Sequence, residues 1–142
     1  MLKRTILMLI LAAVLSACSS ESSQPATEIT LEMTDFAYSS PSVTIPAGQP
    51  VVLTIENAGR IEHDFVIEKI DVETKVIKDS GSEAHHAHGA QAAYDLHISA
   101  PVGESSILQF TVTEPGTYRF FCSVEGHLEA GMIGELIVLA RQ

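Results

Sequence analysis

Beyond residue 28, apolar and polar side chains alternate with a period of two over most of the chain, the pattern of strands with one buried face. Ile29, Leu31 and Met33 alternate with Thr30, Glu32 and Thr34. Val43 and Ile45 mark a second short segment, and Val51, Leu53 and Ile55 a third. Pro46-Ala47-Gly48 and Asn57-Ala58-Gly59 punctuate the series as turns. Ile61 to Glu68 continues it, with His63, Phe65 and Ile67 on one face, and Asp71 to Lys78 reads as a weaker strand without clean alternation. Leu108, Phe110 and Val112 point one way on a further strand. Glu114-Pro115-Gly116-Thr117 has Pro and Gly placed for a type II turn, and Tyr118 can pin that corner through its hydroxyl. Tyr118, Phe120 and Cys122 then share a face, and Ile133 to Leu139 reads as a last strand. Short strands with regular turn signals and little helical periodicity predict an all-β fold, an antiparallel Greek-key sandwich or barrel.

Two regions depart from this pattern. Residues 71–100 read as an insertion in which Glu83 to Tyr94 forms a short helix broken at Gly89. It carries His85, His86 and His88, with His97 beyond. One reading is a second, weaker metal site or a metal-capture loop; the other is a solvated insertion with incidental histidines. The other region is the N-terminus, where Lys3 and Arg4 precede an apolar run from Ile6 to Leu15 that is short for a membrane span. Leu15-Ser16-Ala17-Cys18 resembles a bacterial lipobox, which implies cleavage before Cys18 and lipidation of its thiol. An ordinary secretory signal is the alternative. Residues 19–28 are polar and read as a flexible tether. The expected organisation is therefore a signal peptide over 1–17, a lipidated Cys and tether over 18–28, and one domain over 29–142. The expected location is extracytoplasmic, on the outer face of the cytoplasmic membrane or on an outer membrane, held by lipid.

Charge narrows the partners. Eighteen acidic against eight basic side chains give a formal net charge of −10, and removal of Lys3 and Arg4 makes the mature chain more acidic still. Nucleic acid is excluded as a natural partner, and a basic protein surface is favoured.

The chemistry concentrates between Tyr118 and Met132. Cys122, His127 and Met132 are spaced with four residues between each neighbouring pair, on a loop held at both ends by strands. With Cys18 lipidated, Cys122 is the one free thiol of an extracytoplasmic chain. It is a buried inert cysteine, half of an intermolecular disulfide, or a metal ligand, and its spacing from His127 favours the last. Soft sulfur with imidazole suits copper rather than magnesium or calcium, and a blue-copper centre uses two His, one Cys and a weak axial Met. The loop offers three of these, and His63 near a strand start is the best candidate for the fourth.

Cys-x4-His-x4-Met with an upstream His resembles the type 1 blue-copper cupredoxins. The spacing is that of the azurin and auracyanin loop, while the plastocyanin loop is shorter between Cys and His. Glu114-Pro-Gly-Thr-Tyr-Arg-Phe-Phe-Cys122, Gly126-His127 and Gly131-Met132-Ile-Gly134 carry the likeness, which extends over about residues 28–140. The resemblance implies one type 1 copper held by His63, Cys122, His127 and Met132, with the second loop His reaching the surface as the electron port. It implies no catalytic residues, and the chain offers no persuasive nucleophile, phosphate loop or carboxylate pair. In this family the residue after the first His is often Asn, tying the two ligand loops together; here it is Asp64, which accepts hydrogen bonds but donates none while ionised. The function implied is single-electron transfer by a monomer to a redox partner such as a c-type cytochrome or an oxidase. A copper carrier that delivers the metal to another protein is the alternative; a reductase subunit would need a second copper site, and a mere binding module would not need all four ligand types.

Overall fold

Ten strands in two five-stranded sheets make up the elements of the computed structural model, which describes residues 26–81 and 94–141. They are β1 (Glu28–Thr34), β2 (Ala37–Tyr38), β3 (Ser42–Pro46), β4 (Val51–Asn57), β5 (His63–Ile67), β6 (Val72–Lys78), β7 (Leu96–Ala100), β8 (Ser105–Val112), β9 (Gly116–Phe121) and β10 (Ile133–Leu139). One sheet has the order β2-β1-β4-β8-β6 and the other β3-β10-β9-β5-β7. The alternation read from the sequence is the alternation of burial: along β8 every second residue is buried, and in β10 Gly134, Leu136 and Val138 face inward. The two inner faces meet over Leu31, Met33, Leu53, Ile55, Leu108 and Phe110 from one sheet and Phe65, Ile98, Phe120 and Leu136 from the other. Phe65 stacks on Phe120 at 4.6 Å and Tyr38 meets Phe120 edge-on at 5.0 Å. Such aromatic pairs add about 0.5–1.5 kcal/mol each beyond their buried area, and both involve Phe120, two residues before Cys122.

The sheets are mixed, not antiparallel throughout. β1 runs parallel to β4 and β3 parallel to β10. The chain leaves the first sheet after β2, contributes β3 to the opposite sheet and returns as β4, and a crossover of that kind brings strands side by side in the same direction. Side-chain alternation reports which face is buried and carries no information on strand direction.

The stretch 71–100 is less of an insertion than its sequence suggests. β6 forms the free edge of one sheet along β8, and β7 forms the edge of the other along β5. β6 lacks alternation because nearly all its residues are exposed. β7 escaped the sequence reading although Leu96, Ile98 and Ala100 are its buried residues, with Ser99. The helix expected over 83–94 lies almost wholly outside the described residues, as do His85, His86, His88, Cys18, the leader and most of the tether; the described elements are all strands. The corner before β9 also differs. Gly116 does not take the positive φ that a type II turn needs and instead opens β9 opposite Val138. The expected clasp is present, Tyr118 Oη donating to Glu114 O at 2.9 Å.

Candidate metal centre

Two stretches of chain converge at one end of the sandwich. The first leads into β5. Asn57, buried at the end of β4, shapes it with its amide: Nδ2 donates to Ile61 O (2.7 Å) and Ala100 O (2.8 Å), and Oδ1 accepts from Gly59 N–H (2.8 Å). A buried amide with both ends satisfied holds a loop rigidly. At Gly59 the backbone passes so close to the ligand candidate that a Cβ would lie 2.5 Å from His63 Nε2 and 2.9 Å from Asp35 Oδ1. His63 then opens β5, which lies between β7 and β9 and is buried on both faces.

The second stretch follows β9. From Cys122 to Met132 the loop is bonded to itself. His127 N–H donates to Val124 O, Ala130 N–H to Gly126 O, Gly131 N–H to Leu128 O and Met132 N–H to His127 O, all at 2.9–3.0 Å, and Cys122 N–H closes the loop on Met132 O at 3.1 Å. Gly126 and Gly131 turn it with φ of 82° and 97°, a region that favours glycine. The ladder β9–β10 clamps both ends.

These elements bring His63, Cys122 and His127 together in the protein interior, with one donor atom from each lying within 4.8 Å of the others. His127 Nδ1 is 3.3 Å and His63 Nδ1 3.8 Å from Cys122 Sγ, and the two imidazole rings are 4.9 Å apart. Met132 is fully buried, and its backbone is hydrogen-bonded to both Cys122 and His127. Burial first, and then the negative charge of Asp64, push the Cys122 thiol up to about 12. Burial, then the neighbouring His127, lower the pKa of His63. Without metal the site therefore holds a protonated thiol beside an imidazole kept neutral. Neutral imidazole is the ligating form, and a metal must displace the thiol proton. Two Nδ1 atoms turned on one sulfur, in a buried site with a thioether nearby, form a donor set that fits copper.

Beyond Asp64, several neighbours of the site were not legible in the sequence. Asp64 does tie the two stretches together: Oδ1 accepts from Ser123 N–H at 2.6 Å and Oδ2 from the Ser123 hydroxyl at 2.5 Å. Ser123 supplies both donors, so an acceptor-only carboxylate suffices. Burial would raise the Asp64 pKa, but hydrogen bonds from His97 and Ser123 outweigh it and hold the carboxyl below the ordinary value. The turn between β1 and β2 reaches both histidines. Asp35 Oδ1 stands 3.7 Å from His63 Nε2, which is buried without a hydrogen bond, and Phe36 meets the His127 ring edge-on at 5.1 Å. Phe36 is 49% exposed and has φ of 69°, which is rare for an aromatic residue. His127, expected at the surface, is only 2% exposed, with Phe36 packed edge-on against its ring and His63 beside it. His97, adjoining the histidine-rich stretch in sequence, lies on β7 and faces Asp64.

Comparison with known proteins agrees with this fold. The model of the cupredoxin-like domain matches residues 5–101. The copper-resistant cuproprotein CopI of Rubrivivax gelatinosus is 31% identical over 97 residues, 68% of this chain and 56% of that protein, so the chain spans little more than half of that relative's length. Plastocyanin A/B of Petroselinum crispum is 31% identical over 103 residues, covering 72% of this chain and 88% of the plant protein. Among solved structures, dithionite-reduced auracyanin of Roseiflexus castenholzii superposes with a TM-score of 0.62 at 23% identity, over 82% of this chain and 99% of that one. At that identity the likeness speaks for the fold.

Proposed function

Because the chain belongs to the cupredoxin-like family, we propose that it is a lipid-anchored, extracytoplasmic blue-copper protein that carries single electrons between redox partners. The observation that carries this reading is the buried convergence of His63 Nδ1, Cys122 Sγ and His127 Nδ1. These three residues would hold the metal, with the Met132 thioether as a fourth, weaker donor. Copper, when bound, supplies one-electron chemistry between its +1 and +2 states. The chain's own part is to keep the ligands still. The self-bonded loop, the β9–β10 ladder and the Asp64–Ser123 tie leave the donors little freedom to rearrange when the charge at the site changes.

Docking would occur at the end where Phe36 covers His127. Phe36 and Ile61 are exposed apolar side chains, and Glu125 and Glu129 add exposed negative charge. An apolar contact with acidic flanks suits a basic partner such as a c-type cytochrome or an oxidase domain, whose encounter it would accelerate at low salt. Cys18 would carry the lipid, and residues 19–28 would let the domain stand off the membrane.

A second reading, delivery of copper to another protein, draws on the relative named as a copper-resistant cuproprotein. One experiment separates the two. The copper(II) form should be intensely coloured, Cys122→Ser should abolish the colour, and Met132→Leu should keep it and raise the potential. Stopped-flow mixing of the reduced protein with an oxidised basic cytochrome should show fast transfer that slows as salt rises, with copper retained afterwards. A colourless copper complex of the unmutated protein refutes the blue-copper site. Slow transfer with ready loss of copper to an apo-acceptor favours delivery.

A further inference from the structure

The strands that carry the two halves of the site are joined by a thin ladder. β5, which begins at His63, and β9, which ends just before Cys122, share a single register pair, Val66 with Phe121. Backbone pairing alone therefore does little to fix His63 relative to Cys122, and the side-chain tie from Asp64 to Ser123 spans the gap. That tie has a buried carboxylate at its centre, and a buried charge is costly unless it is compensated. The two donors of Ser123 are neutral. Among the described residues, Arg60 is paired with Asp35, Lys69 with Asp95 and Arg119 with Glu68. The side chain of cationic capacity that faces Asp64 is His97, whose Nε2 lies 3.4 Å from Asp64 Oδ2. Its side chain is only 18% exposed, and it projects from β7, the edge strand paired with β5.

We propose that His97 is a positioning residue for the metal centre: its Nε2–H donates to Asp64 Oδ2 and fixes the carboxylate that ties Ser123, and hence the Cys122 end of the loop, to the His63 strand. His97 on β7 thereby braces Asp64 on the well-paired strand β5, and Asp64 in turn holds Ser123, just past β9, across the β5–β9 seam where backbone pairing is sparse. The strand order makes this possible, because β5 lies between the other two. A neutral imidazole with its proton on Nε2 and an imidazolium both supply the donor, so the tie does not depend on a charged ring. His97 touches no proposed ligand and acts only through Asp64. The contact belongs to the polypeptide, while its consequence at copper rests on the blue-copper reading.

The test is amide hydrogen exchange at Ser123 in the metal-free full chain. Loss of one hydrogen bond to a charged acceptor should speed local opening, so His97→Ala should raise the Ser123 exchange rate about three- to tenfold. His97→Gln, which keeps a donor on a side chain of similar reach, should restore most of the protection. In an Asp64→Asn background His97→Ala should change little, because the carboxylate it serves has gone. Unchanged exchange in His97→Ala, failure of Gln to rescue, or an equal effect in the Asp64→Asn background would each overturn the proposal. Amide dispersion and thermal melting identify a variant that has lost its fold, in which case His97→Gln alone decides by showing protection retained or lost. A chain that gives these exchange results yet forms no coloured copper complex would refute the blue-copper reading and leave the role of His97 in place.

Discussion

The two ligand-bearing stretches are built in opposite ways. From Cys122 to Met132 nearly every constraint is local: the hydrogen bonds run within the loop, and Gly126 and Gly131 make its left-handed turns. His63 is placed by residues scattered through the chain: Asn57, Gly59, Asp35 and, through Asp64, Ser123 and His97. A locally determined loop keeps its shape when one remote contact is lost. A remotely determined side chain depends on every element that surrounds it.

The largest expected effect tests whether the Cys122 loop is ordered before metal arrives. With the thiol pushed up from its ordinary value of 9.0 to about 12, the thiolate fraction near pH 8 falls by about a thousandfold. Alkylation of Cys122 in the metal-free protein should be slower than that of an unfolded control by a factor approaching this. Reaction at the control rate would show an open loop that metal must close. The sign of the linkage follows: a folded pKa above the unfolded one adds stability that is complete below about pH 9 and is lost as the pH rises toward 12. Metal-free protein should accordingly melt earlier in alkali, and Cys122→Ser should reduce that dependence, leaving the share of the Tyr38 hydroxyl, which burial also pushes up.

A smaller but still large effect is expected at the remotely built ligand. Gly59→Ala places a methyl group against His63 Nε2 and Asp35 Oδ1. Overpacking of this kind costs about 1–3 kcal/mol, and its relief must move His63. Copper affinity should fall by about tenfold or more, with the colour shifted or lost, as titration followed by visible absorption would show. An unaltered spectrum would mean that the loop before β5 gives way more easily than its Asn57 hydrogen bonds suggest.

The smallest effect should come from the self-built loop. A Cβ at Gly126 or Gly131 meets open space, so Gly126→Ala or Gly131→Ala bears only the strain of positive φ. That is about 1 kcal/mol in thermal or denaturant melts, with the colour retained. Should either substitution bleach the site while Gly59→Ala spares it, the contrast between the two stretches would be reversed.

Short-range patterns, in periodicity or in residue type at a fixed offset, were enough to read the strands whose faces differ, the loop spacing of Cys122, His127 and Met132, and the Tyr118 clasp. His63 was legible as a candidate only because a fourth ligand was needed and it opens an alternating stretch. Strand direction, which follows from the crossing of β3 between sheets, and the place of β6 and β7 at the two edges emerge only in the folded chain. So do the surroundings of the site. Asp35 and Phe36 in one turn reach His63 and His127, while His97 reaches Asp64 on the neighbouring strand. None of these residues has a spacing that marks it, because contacts between distant segments are fixed by how sheets stack and pair, which no local period records.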